Sequence, residues 1–260
     1  MARASIAVAL AAAVALFLGS ALWPAVRAAD ARTFDVLLRG GTVYDGTGAP
    51  GRVADVGLRG DRIAAMGDLA DATAPTVLDA KGLAVAPGFV NMLSWSTDSL
   101  IADGRSQGEI RQGVTLEVMG EGDSMGPLNA DMKRRAREQQ GDIKYEITWT
   151  TLAEYLAFLE KKGISPNVAS FIGAATLREH VVGLEDRAAT PAELDRMRAL
   201  VRQEMRAGAL GIGSSLIYAP GTYASTEELI ALNKAAAPFG GKYISHMRSE
   251  GNRLLEAVEE

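Results

Sequence analysis

Residues 86–98 read Ala-Pro-Gly-Phe-Val-Asn-Met-Leu-Ser-Trp-Ser-Thr-Asp, and this stretch decides how the rest of the chain is interpreted. A Pro-Gly turn leads into a short apolar run, and the run ends in polar residues. This order is typical of the first strand of a parallel sheet, whose carboxyl end carries side chains to a functional site. Before it the chain alternates short apolar runs with Gly-rich turns, and after it strand-like and helix-like patterns alternate.

The composition is that of a globular protein. The chain has 260 residues, of which 48% are hydrophobic and 23% charged, and its formal net charge is −5. No cluster of Lys and Arg stands out, which argues against nucleic acid as a partner. The absence of cysteine excludes disulfides, thiolate metal sites and a Cys nucleophile. Only His180 and His246 are present, so any His-containing metal site must use these two.

The first 28 residues have the features of a secretory signal peptide. Arg3 precedes an apolar run at 6–22, and Val26 and Ala28 occupy the two small-residue positions of a cleavage site. We therefore predict export to the periplasm or the medium, with the mature chain starting at Ala29. A membrane anchor of similar length is the alternative, and the cleavage site favours the signal peptide. No later stretch is apolar enough to span a bilayer.

Residues 29–85 indicate a small β-structure. Runs at 34–39 and 42–44 predict two strands that turn at Gly40 and Gly41, and 54–58 alternates as a half-buried strand does. This pattern by itself is compatible with any small all-β domain.

Residues 86–260 predict repeated β/α units. Four further strands are predicted at 113–120, 167–173, 209–213 and 242–246. Capping boxes at Thr190 and Ser225 start two of the helices, and Ser106 is predicted to cap a short one. Five successive β/α units imply a parallel sheet with outer helices. A doubly wound sheet and a barrel both fit this pattern.

Residues at the carboxyl ends of these strands are the candidates for chemistry. They are Glu121 after the second strand, His180 after the third, Tyr218 after the fourth, and His246 and Arg248 at the end of the fifth. His246 is either a metal ligand or a structural histidine that caps a loop. Glu121 is either a ligand or a solvated loop acid, and His180 and Tyr218 are either substrate contacts or packed loop residues.

Two segments carry a resemblance to a known family. Residues 243–251 read Tyr-Ile-Ser-His-Met-Arg-Ser-Glu-Gly, which is similar to a Tyr-x-(Ser/Thr)-His-Met-Arg-x-Glu segment of D-aminoacylases. Residues 113–120 resemble the family's second strand, with Gly122 opposite a metal-binding Cys. From about residue 33 onward the chain resembles the amidohydrolase superfamily, and most closely its N-acyl-D-amino-acid deacylase branch. The family's Pro-Gly-Phe-Ile-Asp-x-His-x-His segment is altered here, because Leu93 and Trp95 replace both histidines.

The resemblance implies a (β/α)8 TIM barrel preceded by a small β-sandwich. On this interpretation residues 1–28 are the signal peptide, 29–85 the sandwich segment, and 86–260 the N-terminal part of the barrel. Because only about five of eight units are present, we predict that the chain is the first part of a longer protein or the product of a broken reading frame.

The resemblance also implies the reaction and its residues. The expected activity is metal-dependent hydrolysis of the amide C–N bond of an N-acyl-D-amino acid, with one tightly held Zn²⁺ bound by His246. Glu121 lies one place before the position of the family's Cys, and we expect it as a second ligand because a carboxylate reaches further than a thiol and suits zinc. Tyr218, Arg248 and His180 are expected to contact the substrate, and the family's general base, an Asp, is expected beyond Glu260. Two alternatives stay open, namely an amidohydrolase acting on a cyclic amide or a dipeptide, and a barrel that binds a ligand without catalysis.

Overall fold

Two compact units make up the chain, one ending at Pro87 and the other running from Gly88 to Glu260. The computed structural model describes residues 32–260. The signal peptide predicted for residues 1–28 and the mature start at Ala29 lie outside the described residues.

The first unit contains one mixed five-stranded sheet. Its strands are β1 (Val36–Val43), β2 (Arg52–Arg59), β3 (Arg62–Gly67), β4 (Thr76–Asp79) and β5 (Ala84–Val85). The order is β3-β2-β1-β4, and β5 pairs in parallel with the end of β1 beyond β4. Phe34 and Leu37 are the centre of its small apolar core.

The structure of strand β1 contradicts the predicted turn at Gly40 and Gly41. Gly40 and Gly41 do not turn the chain, because a single strand runs through both residues with a bulge in its pairing to β2. Gly40 has a φ of +67°, which its lack of a Cβ permits, and its N–H donates to Asp55 Oδ1 at 2.8 Å. The other oxygen of Asp55 accepts from the guanidinium of Arg39 at 2.9 Å. The pair of glycines thus forms a bulge held by one carboxylate.

The second unit contains six strands, and all of their pairings are parallel. Three form one sheet in the order β6-β7-β8, and three form another in the order β11-β10-β9. Their bounds are Phe89–Asn91 (β6), Val114–Met119 (β7), Asn167–Ser170 (β8), Ile172–Gly173 (β9), Gly211–Ser215 (β10) and Lys242–His246 (β11).

The segment predicted as one strand at 167–173 is divided at Phe171. The N–H of Phe171 still donates to Met119 O at 2.8 Å, on the side of β7. On the other side, the N–H of Leu210 donates to Ser170 O at 3.0 Å, just ahead of β10. This short segment therefore joins the two sheets through backbone hydrogen bonds. The predicted α/β class is confirmed.

Eight α-helices of the second unit follow or connect these strands. They are α1 (Thr97–Ala102), α2 (Gln107–Ile110), α3 (Ala130–Gln139), α4 (Leu152–Lys162), α5 (Ala174–Val181), α6 (Pro191–Arg206), α7 (Thr226–Ala236) and α8 (Leu254–Glu259). The main core joins helices to strands, with fully buried side chains such as Leu159, Met197 and Ile212. Within residues 32–260, none of the helices has both the length and the apolar character that crossing a membrane requires.

Of three predicted caps, the one at Thr190 forms in full, the one at Ser225 forms in part, and the one at Ser106 does not form. Thr190 and Glu193 form the predicted reciprocal capping box. Ser225 does cap α7 through the N–H of Glu228, but the carboxylate of Glu228 binds Arg178 instead of completing the box. Ser106 does not cap α2 through its side chain, because its hydroxyl donates to the buried Glu117 at 2.9 Å. The side chains of Glu228 and Ser106, which local sequence patterns assigned to helix caps, therefore bind residues elsewhere in the fold.

Candidate metal-binding site

The carboxyl ends of β7, β10 and β11 bring two predicted ligands together. His246 is the last residue of β11 and pairs in register with Ser215, the last residue of β10. The Ser215 hydroxyl donates to the backbone oxygen of Glu121 at 3.3 Å, which places the loop after β7 beside His246. As a result, Glu121 Oε2 lies 3.7 Å from His246 Nδ1. Both side chains are largely buried, with 11% of Glu121 and 23% of His246 exposed.

A group of glycines makes this approach possible. A Cβ on Gly213 would lie 2.0 Å from the backbone oxygen of Gly120, and a Cβ on Gly173 would lie 2.4 Å from that of Gly122. Gly120 itself has a φ of +95° and fits against the backbone of Phe171. The loop that carries Glu121 therefore lies directly on the backbones of β9 and β10. These glycines cluster at successive strand ends, a signal that is visible in the sequence but that was not used to predict the site.

Gly122, which aligns with a Cys of the family, has no room for a side chain. A Cβ there would lie 2.5 Å from both Cβ and Oγ of Ser215, and the φ of Gly122 is +88°. L-residues with a Cβ rarely adopt this backbone conformation. The carboxylate of Glu121, one position earlier, is the group that this loop brings to His246.

The imidazole of His246 has two further neighbours. Glu250 Oε1 lies 3.4 Å from Nε2, on the side of the ring away from Glu121. The ring of Tyr218 packs edge-on against the imidazole with 5.4 Å between ring centroids. Tyr218 is 60% exposed, so its outer surface is free to border a small molecule beside His246.

Arg248, a predicted substrate contact, has its guanidinium engaged by the protein. It donates two hydrogen bonds to the carboxylate of Glu260, at 2.9 and 2.8 Å. It also donates to the backbone oxygens of Thr222 and Ala224, each at 2.9 Å. Its observed role is to tie the loop after β11 to the 3₁₀ helix that precedes α7. A substrate contact would require Glu260 to release it.

His180 lies in a helix and not in the loop that the sequence suggested. Helix α5 begins directly after Gly173, so β9 and the helix have no connecting loop. The backbone oxygen of His180 accepts a hydrogen bond from the side chain of Asn129 at 3.1 Å. Among the contacts described for residues 32–260, none joins His180 to His246 or Glu121.

The environment of His180 gives stability a pH dependence. Burial, and then the positive charge of Arg196, lower the pKa of His180 below its ordinary value of 6.5. Between 6.5 and the folded-state pKa the unfolded chain binds more protons, so the free energy of unfolding falls as the pH falls. We expect His180→Asn to reduce this slope, as measured by urea unfolding from about pH 8 to about pH 5. An unchanged slope would contradict the prediction.

The donor set suits zinc but is incomplete in the part of the chain described. Imidazole nitrogen and carboxylate oxygen are both ordinary zinc ligands, and 3.7 Å is a separation that one ion can bridge. Catalytic zinc sites in proteins have three protein ligands. Within residues 32–260, no group of three or more His, Cys, Asp or Glu side chains is placed to hold a metal ion. His246 and Glu121 are therefore two candidate ligands of an incomplete set.

The two positions where the family has a His-x-His pair carry exposed apolar side chains. Leu93 is 49% exposed and Trp95 is 59% exposed. Neither side chain is a metal ligand. Ser94, between them, is buried and donates to Glu117 at 2.6 Å.

Comparison with known proteins finds relatives that share one activity class. No family model matches the chain. D-aminoacylase from Alcaligenes xylosoxydans xylosoxydans is 40% identical over 235 residues, which cover 89% of this chain and 48% of the relative. A crystal structure of D-aminoacylase, described as defining a novel subset of amidohydrolases, matches with a TM-score of 0.76 and 38% identity over 87% of this chain and 48% of that one.

A second solved structure shares this fold. It is N-acyl-D-glutamate deacylase from Bordetella bronchiseptica, complexed with zinc and a phosphonate that mimics the tetrahedral intermediate of its reaction. It matches with a TM-score of 0.76 and 33% identity, over 87% of this chain and 48% of that one. The chain spans about half the length of the curated relatives it matches. Over the residues that match, the chain is similar in sequence and in structure to D-aminoacylase and to related N-acyl-D-amino-acid deacylases of the amidohydrolases.

Proposed function

We propose that the protein contributes to metal-dependent hydrolysis of the amide C–N bond of N-acyl-D-amino acids. The observation that carries this proposal is the approach of His246 Nδ1 to Glu121 Oε2, 3.7 Å apart at the carboxyl ends of parallel strands. The relatives named for D-aminoacylase and N-acyl-D-glutamate deacylase activity support the substrate class.

Zinc is the metal that we propose for this site. When bound, it would polarise the scissile carbonyl and increase the acidity of water. His246 and Glu121 would hold it, and the loss of His-x-His at Leu93 and Trp95 favours one ion over two. Tyr218, edge-on to His246 and exposed, would border the acyl-amino acid. Arg248 would act through the loop that it anchors, and His180 is the weakest of the proposed substrate contacts.

We further propose that residues 86–260 are five β/α units of a (β/α)8 barrel and that residues 29–85 belong to a small β-sandwich. The all-parallel pairing from β6 to β11 supports the first part, and the five-stranded sheet of the first unit supports the second. Residues 1–28 are proposed as a signal peptide, with export to the periplasm or the medium, on the strength of the cleavage pattern alone.

Zinc binding to the complete gene product tests the site directly. Calorimetric titration should show one zinc ion per chain, and both His246→Ala and Glu121→Gln should abolish the binding because each removes one of two described donors. His180→Ala is the matched control, since it removes the only other histidine of these 260 residues and should leave the titration unchanged. Zinc binding that survives His246→Ala would show that this residue is structural.

A deacylase assay of the complete gene product tests the reaction. N-acetyl-D-amino acids should be hydrolysed in the presence of zinc, their L-enantiomers should not, and a chelator should stop turnover. His246→Ala should lower the rate to the background level, whereas His180→Ala keeps both proposed metal ligands and should retain turnover. Absence of hydrolysis with any N-acyl-D-amino acid, in a protein that holds zinc, would refute the proposed substrate class.

A further inference from the structure

The imidazole of His246 lies between two carboxylates that face different ring nitrogens. Glu121 Oε2 is 3.7 Å from Nδ1, and Glu250 Oε1 is 3.4 Å from Nε2. A neutral imidazole has one N–H and one lone pair, so the two carboxylates compete for the single proton. The outcome of this competition decides which nitrogen can bind a metal.

The two carboxylates differ in burial. Glu121 is 11% exposed and lies against β10, whereas Glu250 is 60% exposed in the loop after β11. Glu250 Oε1 lies beside Nε2, where it can accept a hydrogen bond from an Nε2–H. If the proton is on Nε2, the lone pair of Nδ1 points to the same space as Glu121.

The loop that carries Glu250 is held in place. Arg248, two residues earlier, binds the backbone oxygens of Thr222 and Ala224 and the carboxylate of Glu260. The N–H of Gly251 donates to the Ser249 hydroxyl at 3.3 Å, which closes a local turn around Glu250. Glu250 follows His246 by four positions, along a loop and not along a helix.

We propose that Glu250 is a positioning residue that keeps the proton of His246 on Nε2 and so presents Nδ1, together with Glu121, to the metal. This inference rests on the metal site proposed above. Histidine ligands in metalloproteins commonly donate their second N–H to a carboxylate, and loss of that carboxylate weakens metal binding by about 10–100-fold. Because Glu250 is more than half exposed, we expect an effect near the lower end of that range.

Nitrogen NMR of the metal-free chain tests the tautomer without any zinc. The chain has only two histidines, so His180→Ala assigns their ring signals unambiguously. The wild type should show the proton of His246 on Nε2. In Glu250→Ala, the competing carboxylate of Glu121 should draw a measurable fraction of the neutral ring to the Nδ1–H form.

Zinc titration supplies the second readout. Glu250→Ala should raise the zinc dissociation constant about tenfold, and Glu250→Gln should fall between wild type and Ala because its amide oxygen still accepts a hydrogen bond. Glu256→Gln is the matched control, since Glu256 is 63% exposed and pairs with Arg253. It should change neither the tautomer nor the affinity.

The outcomes separate the two proposals. An unchanged tautomer in Glu250→Ala overturns the positioning role, whatever the zinc titration shows. An unchanged zinc affinity in Glu250→Ala, when His246→Ala abolishes binding, also overturns it. Zinc binding that persists in His246→Ala instead refutes the proposed metal site, and the tautomer measurement then still decides whether Glu250 orients the ring.

Discussion

Gly213→Ala should abolish zinc binding and lower the free energy of unfolding by about 3 kcal/mol. The new Cβ would lie 2.0 Å from the oxygen of Gly120 and 3.1 Å from Cα of Glu121. These are backbone atoms, so no side-chain rotation relieves the overlap. The loop after β7 must move off β10, and Glu121 moves with it away from His246.

Gly108→Ala is the control for this change. Gly108 lies in the exposed helix α2, and a Cβ there would meet nothing within 4 Å. The substitution should be neutral or stabilising by up to about 1 kcal/mol, because Ala restricts the unfolded chain. Zinc titration and urea unfolding of both variants make the comparison. A Gly213→Ala protein with unchanged zinc affinity would show that the loop's contact with β10 does not position Glu121.

Arg178→Met should lower the free energy of unfolding by about 3–5 kcal/mol, since it leaves a buried carboxylate without its partner. Arg178 is fully buried and Glu228 is 6% exposed, with 2.8 Å between the paired atoms. Arg178 also donates to the backbone oxygens of Arg187 and Glu185, which ties α5 to the chain leading into α6. Burial raises the pKa of Glu228, which Arg178 counteracts.

The pH dependence of the stability lost in Arg178→Met identifies the cause of that loss. In Arg178→Met the unpaired Glu228 should take up a proton as the pH falls, so the destabilisation should shrink toward acid pH. A second change, Glu228→Met, should recover part of the loss at neutral pH because it removes the buried charge. Arg134→Met is the surface control. Arg134 and its partner Asp131 are both more than half exposed. Arg134→Met should therefore lower the free energy of unfolding by less than about 1 kcal/mol.

The fold was largely predictable where local pattern and tertiary packing agree. Residues 242–246 form β11 as predicted, because the strand pattern there has no competing signal. Helix α5 was not predicted, since it begins directly after Gly173 with no side chain to cap it. Its first five residues are buried, which shows that packing and not a cap signal defines the helix.

The site was predictable in its residues and not in its arrangement. His246 follows from the resemblance of its segment to a family, and Glu121 from its place one residue before the family's Cys position. Their 3.7 Å approach depends on the close backbone contacts of Gly213 with Gly120 and of Gly173 with Gly122. No periodicity of side chains encodes such contacts, because glycine has none. The engagement of Arg248 with Glu260 was also beyond sequence analysis, since it depends on how the loop after β11 folds back.

The position of the candidate ligands along the chain has a consequence for folding kinetics. Glu121 follows the second strand of the parallel unit and His246 ends the last one, so their approach closes a long segment of chain. Closing such a long segment lowers the conformational entropy of the chain before the contact can stabilise the fold. Contacts of this kind therefore form later than local ones. We therefore expect zinc binding to appear with the slowest refolding phase, after the helical signal has recovered, so that the metal reports the final assembly of the strands and not the formation of any one β/α unit.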